Sequence, residues 1–190
     1  MPKQKISRDE LLRKAWRLFH RHGYHDTSLQ LIATKTGIGK AGLLHHFGSK
    51  QGLMHAVIDY AKAYYAEHVL ALLDGPAPLA ERLGRFLQQH VTLCQLDRRG
   101  CFFANVILET GADRLFSDQL GDFHADWQAA VRDALLPHYP ADEAQERAYR
   151  LFIDYEGSVI VYKIYGASDH LERFVDRAVH SLAYPIQLPV

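Results

Sequence analysis

Apolar side chains recur along this chain at intervals of three and four residues, the period of an amphipathic helix. Nowhere do they keep up the alternation of a half-buried strand. Leu11, Leu12, Ala15, Leu18, Phe19 and His22 trace the first stripe. Ser7 and Glu10 form a capping box ahead of it, each able to satisfy the other's unpaired backbone amide, and Gly23 stops it. Thr27 with Gln30 repeats the capping pattern at the start of a second helix, whose apolar face is Leu29, Ile32 and Ala33. A turn of Gly37, Ile38 and Gly39 leads to a third helix over 40–47, closed by Gly48, and Ser49 opens a fourth.

The fourth helix carries Leu53, Val57, Ala61, Tyr64, Tyr65, His68, Val69 and Leu72 until the breaker cluster DGPAP at 74–78. Helices are predicted next over 79–94, over 101–109 after the DRRG interruption, over 118–136, and over 141–165 beyond PHYP. A last helix, 168–183, places Leu171, Phe174, Val175, Ala178, Val179 and Leu182 on one side. The stretch GSVIVYKIYG at 157–166 is apolar nearly all the way round, and a helix of that kind must be buried on every side. Its VIVY run could form a strand in isolation, but the helical pattern around it is too long. The predicted class is all-α, a three-helix head followed by a larger helical bundle.

Two short helices joined by a glycine-containing turn, with a capped helix following, form the helix-turn-helix arrangement. Its second helix enters the DNA major groove. Charge sharpens this reading. The net charge is zero, yet residues 1–50 hold ten Lys/Arg against three Asp/Glu, a net of +7, and residues 51–190 hold twelve against nineteen, a net of −7. A basic head on an acidic body is the electrostatic footprint of a small nucleic-acid-binding domain carried by a partner domain. The expected division is therefore 1–50 for DNA binding and 51–190 for a larger partner domain.

Composition removes other classes. With 48% hydrophobic and 23% charged residues the chain can build a packed core. No apolar run approaches the roughly 20 residues of a membrane span. The charged start MPKQKISRDELLRK lacks an apolar signal core, and two cysteines, Cys94 and Cys101, are too few for a disulfide framework. These features predict a cytoplasmic protein without a membrane partner.

The string LFHRHGYHDTSLQLIATKTGIGKAGLLHHFGSKQGL resembles the signature of the TetR/AcrR family of bacterial transcriptional regulators. The matching positions are Phe19, Gly23, Tyr24, Thr27, Ser28, Ile32, Ala33, Gly37, Ile38, His46, Phe47, Ser49 and Lys50. Two positions depart from the family pattern. Gly39 replaces the usual side-chain cap, and Leu44 stands where the family usually has Tyr, so one customary DNA contact is replaced by a side chain suited to a thymine methyl. The DNA-facing set expected here is Thr27, Ser28, Lys40, Ala41, Gly42, Leu44, His45, His46 and Lys50. Thr27 and Ser28 would offer a hydroxyl and an amide to one strand. Lys40, His45 and His46 would reach bases or phosphates, and Lys50 with the Ser49-capped amides would seat a phosphate.

One such head reads only a few base pairs, so specificity predicts a homodimer on a roughly palindromic double-stranded operator. The resemblance implies that the last two helices of each subunit pair, and Val159, Tyr162, Leu171, Phe174, Val175, Ala178 and Leu182 are the residues expected there. It also implies a small-molecule effector that releases a repressor from its operator. Phe86, His90, Cys101, Phe102, Asn105, His124, Trp127 and Tyr155 are the expected pocket. Gly100-Cys101 followed by Asn105 looks like a motif of the branch that includes NemR- and AcuR-like regulators. An alternative reading is thus an electrophile- or redox-sensing repressor, with Cys101 activated by a helix N-terminus and by Arg98 and Arg99. Twelve histidines invite metal or catalytic chemistry, but none falls in a metal-ligand or nucleophile motif. No metal, cofactor or enzymatic activity is expected; a small-molecule-binding enzyme on a helical scaffold is the remote alternative.

Overall fold

The computed structural model describes residues 6–183. They form α1 (Arg8–His22), α2 (Leu29–Thr36), α3 (Lys40–Phe47), α4 (Lys50–His68), α5 (Leu79–Gln95), α6 (Phe102–Thr110), α7 (Ser117–Leu135), α8 (Ala141–Tyr165) and α9 (Asp169–Ala183). Short 3-10 turns at Leu70–Leu73 and Leu96–Arg98 join them, and no strand occurs among the described residues. Local chemistry sets the helix ends. The Ser7 hydroxyl accepts the Glu10 amide at 3.1 Å, while the Glu10 carboxylate turns to Lys14 at 2.9 Å instead of completing the box. The cap of α2 is Ser28, which accepts from the Leu31 amide at 3.1 Å; the sequence pattern had pointed to Thr27. Gly37 ends α2 in the left-handed conformation (φ 75°) that lets its amide reach the Ala33 carbonyl.

The described residues pack as two compact units. One comprises residues up to 64 with 102–121; the other comprises 65–101 with those from 122 onward. The first unit is thus larger than the 1–50 head read from the sequence. Three short helices bury too little apolar surface alone, and the rest of its core comes from α4 (Leu53, Met54, Val57, Ile58, Ala61), from α6 (Phe102, Phe103, Val106) and from Phe116. Trp16 of α1 meets Tyr60, Tyr64 and Phe102 edge-on at ring separations of 5.4–6.2 Å.

In the second unit α9 packs on α5 and α8. Leu171, Phe174, Val175, Ala178 and Leu182 of α9, with Val159 and Tyr162 of α8, are all buried inside this unit. Those seven residues were expected at a subunit interface, and the structure corrects that assignment. The single apolar stripe of α9 is used once, within its own chain. The GSVIVYKIYG stretch is not buried all round either: Ile160 and Ile164 are 54% and 66% exposed, and Tyr149 and Ile153 on the same side of α8 are 47% and 50% exposed.

Candidate nucleic-acid interface

Helix α3 buries one side chain, Leu43. Lys40, Ala41, Leu44, His45 and His46 are exposed and Gly42 is half-buried. Lys40, Ala41, Leu44 and His45 follow the three-and-four spacing that sets them along one side of the helix. A helix held by a single core residue and presenting a basic and methyl-rich side fits insertion into a groove more than service as core. Its N-cap Gly39 supplies no side-chain hydrogen bond, and Gly48 (φ 74°) ends it with an amide bonded to the Leu44 carbonyl at 2.8 Å. The Arg8 guanidinium lies over the Phe47 ring at 5.3 Å. Ser28 is exposed, its hydroxyl engaged in the cap of α2.

Two expected DNA contacts face inward instead. Thr27 is fully buried, and its hydroxyl donates to the Gly23 carbonyl at 2.6 Å, locking the end of the α1–α2 turn. The Lys50 ammonium donates to the carbonyls of Tyr24 (3.0 Å) and His25 (3.1 Å) and lies 4.5 Å from the centre of the Tyr24 ring. Both residues support the helix-turn-helix from behind. The amide near Ser49 is likewise taken, since Gly52 N–H donates to the Ser49 hydroxyl at 2.9 Å. Sequence reading missed Glu109, whose carboxylate accepts the Tyr24 amide at 2.6 Å across 85 residues of chain. The only hint was one acid closing an apolar segment, FFANVILE.

In the second unit, four of the eight residues expected in the effector pocket do gather. The His90 Nε2 accepts the Trp127 indole N–H at 2.8 Å, and the imidazole meets Phe86, Tyr155 and Tyr65 edge-on at 4.8–5.3 Å. Burial holds His90 down to about 3, so it is neutral; the Phe86 carbonyl one turn earlier offsets part of this. His124 tilts against Phe152 at 4.3 Å, and burial lowers its basicity too. Phe102 and Asn105 lie on α6 and belong to the first unit, where Phe102 packs against Trp16 and His20.

Cys101 directly precedes α6, at a helix N-terminus as the sequence suggests, and both thiols are buried. Cys94 shares a 2.7 Å hydrogen bond with the Tyr155 hydroxyl, and burial pushes its thiol up to about 12. Cys101 is buried and hydrogen-bonds Glu156, whereas Arg98 and Arg99 are exposed. Glu156 itself is raised to about 7 by burial, against the opposing pull of that hydrogen bond and of the Lys163 charge. Among the described residues no group of three His, Cys, Asp or Glu converges as metal ligands, and no helix is long and apolar enough to cross a membrane.

Comparison with known proteins bears on the head and on the whole fold separately. The family described as "Bacterial regulatory proteins, tetR family" matches residues 11–57, the span from α1 into α4. The transcriptional repressor ComR of Escherichia coli is 42% identical over 104 residues, covering 53% of this chain and 49% of ComR. The regulator LmrA of Bacillus subtilis is 31% identical over 84 residues, covering 44% of this chain and 45% of LmrA. The chain thus spans about half the length of these curated relatives. Solved structures extend the likeness to the whole chain. A TetR transcriptional regulator from Legionella pneumophila superposes with a TM-score of 0.84 at 21% identity, over 96% of this chain and all of that one. A cysteine mutant of the regulator CifR, solved with 26-bp double-strand operator DNA, gives 0.77 at 21% identity, over 96% of this chain and all of CifR. At these identities the superpositions speak for the fold.

Proposed function

We propose that the chain is a member of the TetR family of bacterial regulatory proteins, a repressor whose α3 reads an operator and whose second unit binds a small effector. The observation that carries the DNA reading is the composition of α3, which buries only Leu43 and leaves Lys40, Ala41, Leu44, His45 and His46 to solvent on a head of net charge +7. Ser28 and Gly42 complete the surface, with Thr27 and Lys50 behind it as supports. Leu44 meets a thymine methyl, while Lys40 and the histidines donate to base edges and phosphates.

The working form in this reading is a homodimer. Tyr149, Ile153, Gly157, Ile160 and Ile164 follow one another at spacings of four, four, three and four along α8, a continuous exposed stripe. Exposed apolar residues in register along one helix favour pairing with the same helix of a second copy. Two heads would then read half-sites about 34–36 Å apart or a multiple of that. The aromatic cluster around His90 supports an effector site nearby in the second unit, and DNA as partner favours a cytoplasmic location. We assign the chain no catalytic role, in keeping with its regulator relatives.

The experiment is selection of duplexes from a random library by the full chain, followed by gel shift against competitor DNA. A palindromic consensus bound with Kd on the order of 10 nM, weakening steeply with salt, is expected. Enrichment of nothing beyond salt-sensitive background binding would end this reading.

A further inference from the structure

The turn between α1 and α2 is gripped on both edges by opposite charges. On one edge the Glu109 carboxylate accepts from the amides of Tyr24 (2.6 Å) and His25 (3.4 Å), and the Glu109 carbonyl meets His25 Nε2 at 3.2 Å. On the other edge Lys50 Nζ donates to the carbonyls of the same two residues. Each charge therefore sits at the end of the peptide dipole that it stabilises, and hydrogen bonds to charged groups are the stronger kind. Gly23 makes the approach possible: its φ is 84°, and a Cβ there would run into the Glu109 carboxylate. The ring of Tyr24 is fixed as well, stacked on Phe19 at 6.1 Å and edge-on to Phe116 at 5.2 Å.

The placement of Glu109 is itself informative. It lies in the last turn of α6, where the negative end of the helix dipole disfavours a carboxylate. Its oxygens find their donors in the turn that they grip. Only Asp26 separates the gripped pair from Thr27, which bonds back to Gly23, and the next residue, Ser28, caps α2. The direction in which α2 leaves α1 is thus set at Tyr24 and His25.

We propose that Glu109 is a positioning residue for DNA recognition: with Lys50 it brackets the Tyr24–His25 peptides and fixes the approach of the helix-turn-helix to the groove. The inference rests on the DNA-reading function above. It gives the segment 102–121, which joins the head from later in the sequence, a direct hold on the head.

The test compares the full wild-type chain with Glu109→Ala, Glu109→Gln and, as control, Asp113→Ala, an exposed acid beyond α6. Two quantities are read, well below the melting transition where circular dichroism reports every variant folded. They are the exchange rate of the Tyr24 amide and the affinity for the duplex enriched by the wild-type chain. Loss of a charge-assisted hydrogen bond predicts that Glu109→Ala exchanges at Tyr24 and releases DNA roughly tenfold more readily. Glu109→Gln, which keeps an oxygen acceptor without the charge, should fall between Ala and wild type, and Asp113→Ala should match wild type. A residue that only stabilised the head would lower the melting temperature and leave the affinity of the folded protein intact. Unchanged Tyr24 exchange, or unchanged affinity in folded Glu109→Ala, overturns the inference. If that variant does not fold, wild-type behaviour of Glu109→Gln in both readouts does the same. Failure of the wild-type chain to enrich any duplex counts instead against the regulator reading.

Discussion

Lowering the pH from about 7.5 to about 5 should leave the stability of the wild-type chain nearly level, because two buried groups titrate in opposition. His90 is held down to about 3 by burial, against an ordinary 6.5. Between those values the unfolded chain binds a proton that the folded chain refuses, so stability falls as the pH falls, by about 2 kcal/mol over this interval. Glu156 is raised to about 7 against an ordinary 4.5, also by burial. Between those values the folded chain keeps a proton that the unfolded chain has released, so stability rises as the pH falls, again by about 2 kcal/mol. Two substitutions separate the slopes. His90→Gln retains an acceptor for the Trp127 indole but cannot titrate, so it should gain about 2 kcal/mol on acidification. Glu156→Gln should lose about as much. Urea unfolding followed by tryptophan fluorescence measures both, at one fixed protein concentration because dimerisation adds to apparent stability. Parallel stability–pH profiles for wild type and His90→Gln would refute the argument, since they would mean that the imidazole is free to take its proton in the folded chain.

Replacing Ile160 and Ile164 together by Glu should convert the proposed dimer to monomer at micromolar concentration without loss of helicity, as read by sedimentation and circular dichroism; a persistent dimer would exclude the α8 stripe. Substituting uracil for the thymine opposite Leu44 removes one methyl from the operator and should weaken wild-type binding by about 0.8 kcal/mol. The same substitution should leave Leu44→Ala indifferent, and equal sensitivity in the two proteins would disprove the methyl contact. Gly23→Ala should destabilise the chain by about 1–3 kcal/mol in thermal unfolding, through its positive φ and its clash with Glu109. A smaller effect would mean that the turn can reshape.

The helix starts and stops were legible because capping is a local transaction. Ser7 caps an amide three residues away, and Gly37 takes the left-handed conformation that its position requires. One cap was misread, since Thr27 and Ser28 are adjacent and either hydroxyl suits the pattern. Burial decided between them, drawing Thr27 inside to bond Gly23. The helix-turn-helix was legible for a similar reason, since its turn and caps lie within a few residues of one another; which leucine of α3 turns inward, Leu43, was not.

The sequence by itself determined the all-α class, the helix-turn-helix and the segregation of charge, each a matter of neighbours within a few residues or of simple sums. Only the tertiary structure decided how each face is used. On α8 apolar residues surround the helix, so periodicity cannot say which half meets the chain's own core; packing within the second unit took Val159 and Tyr162 and left Ile160 and Ile164 outside. A lysine three residues beyond an exposed helix can reach solvent or a backbone carbonyl with equal ease. Lys50 turned inward because the folded turn presents two carbonyls to it, with Glu109 on the opposite edge. No local pattern encodes a contact across 85 residues, because it exists only once the chain has closed on itself.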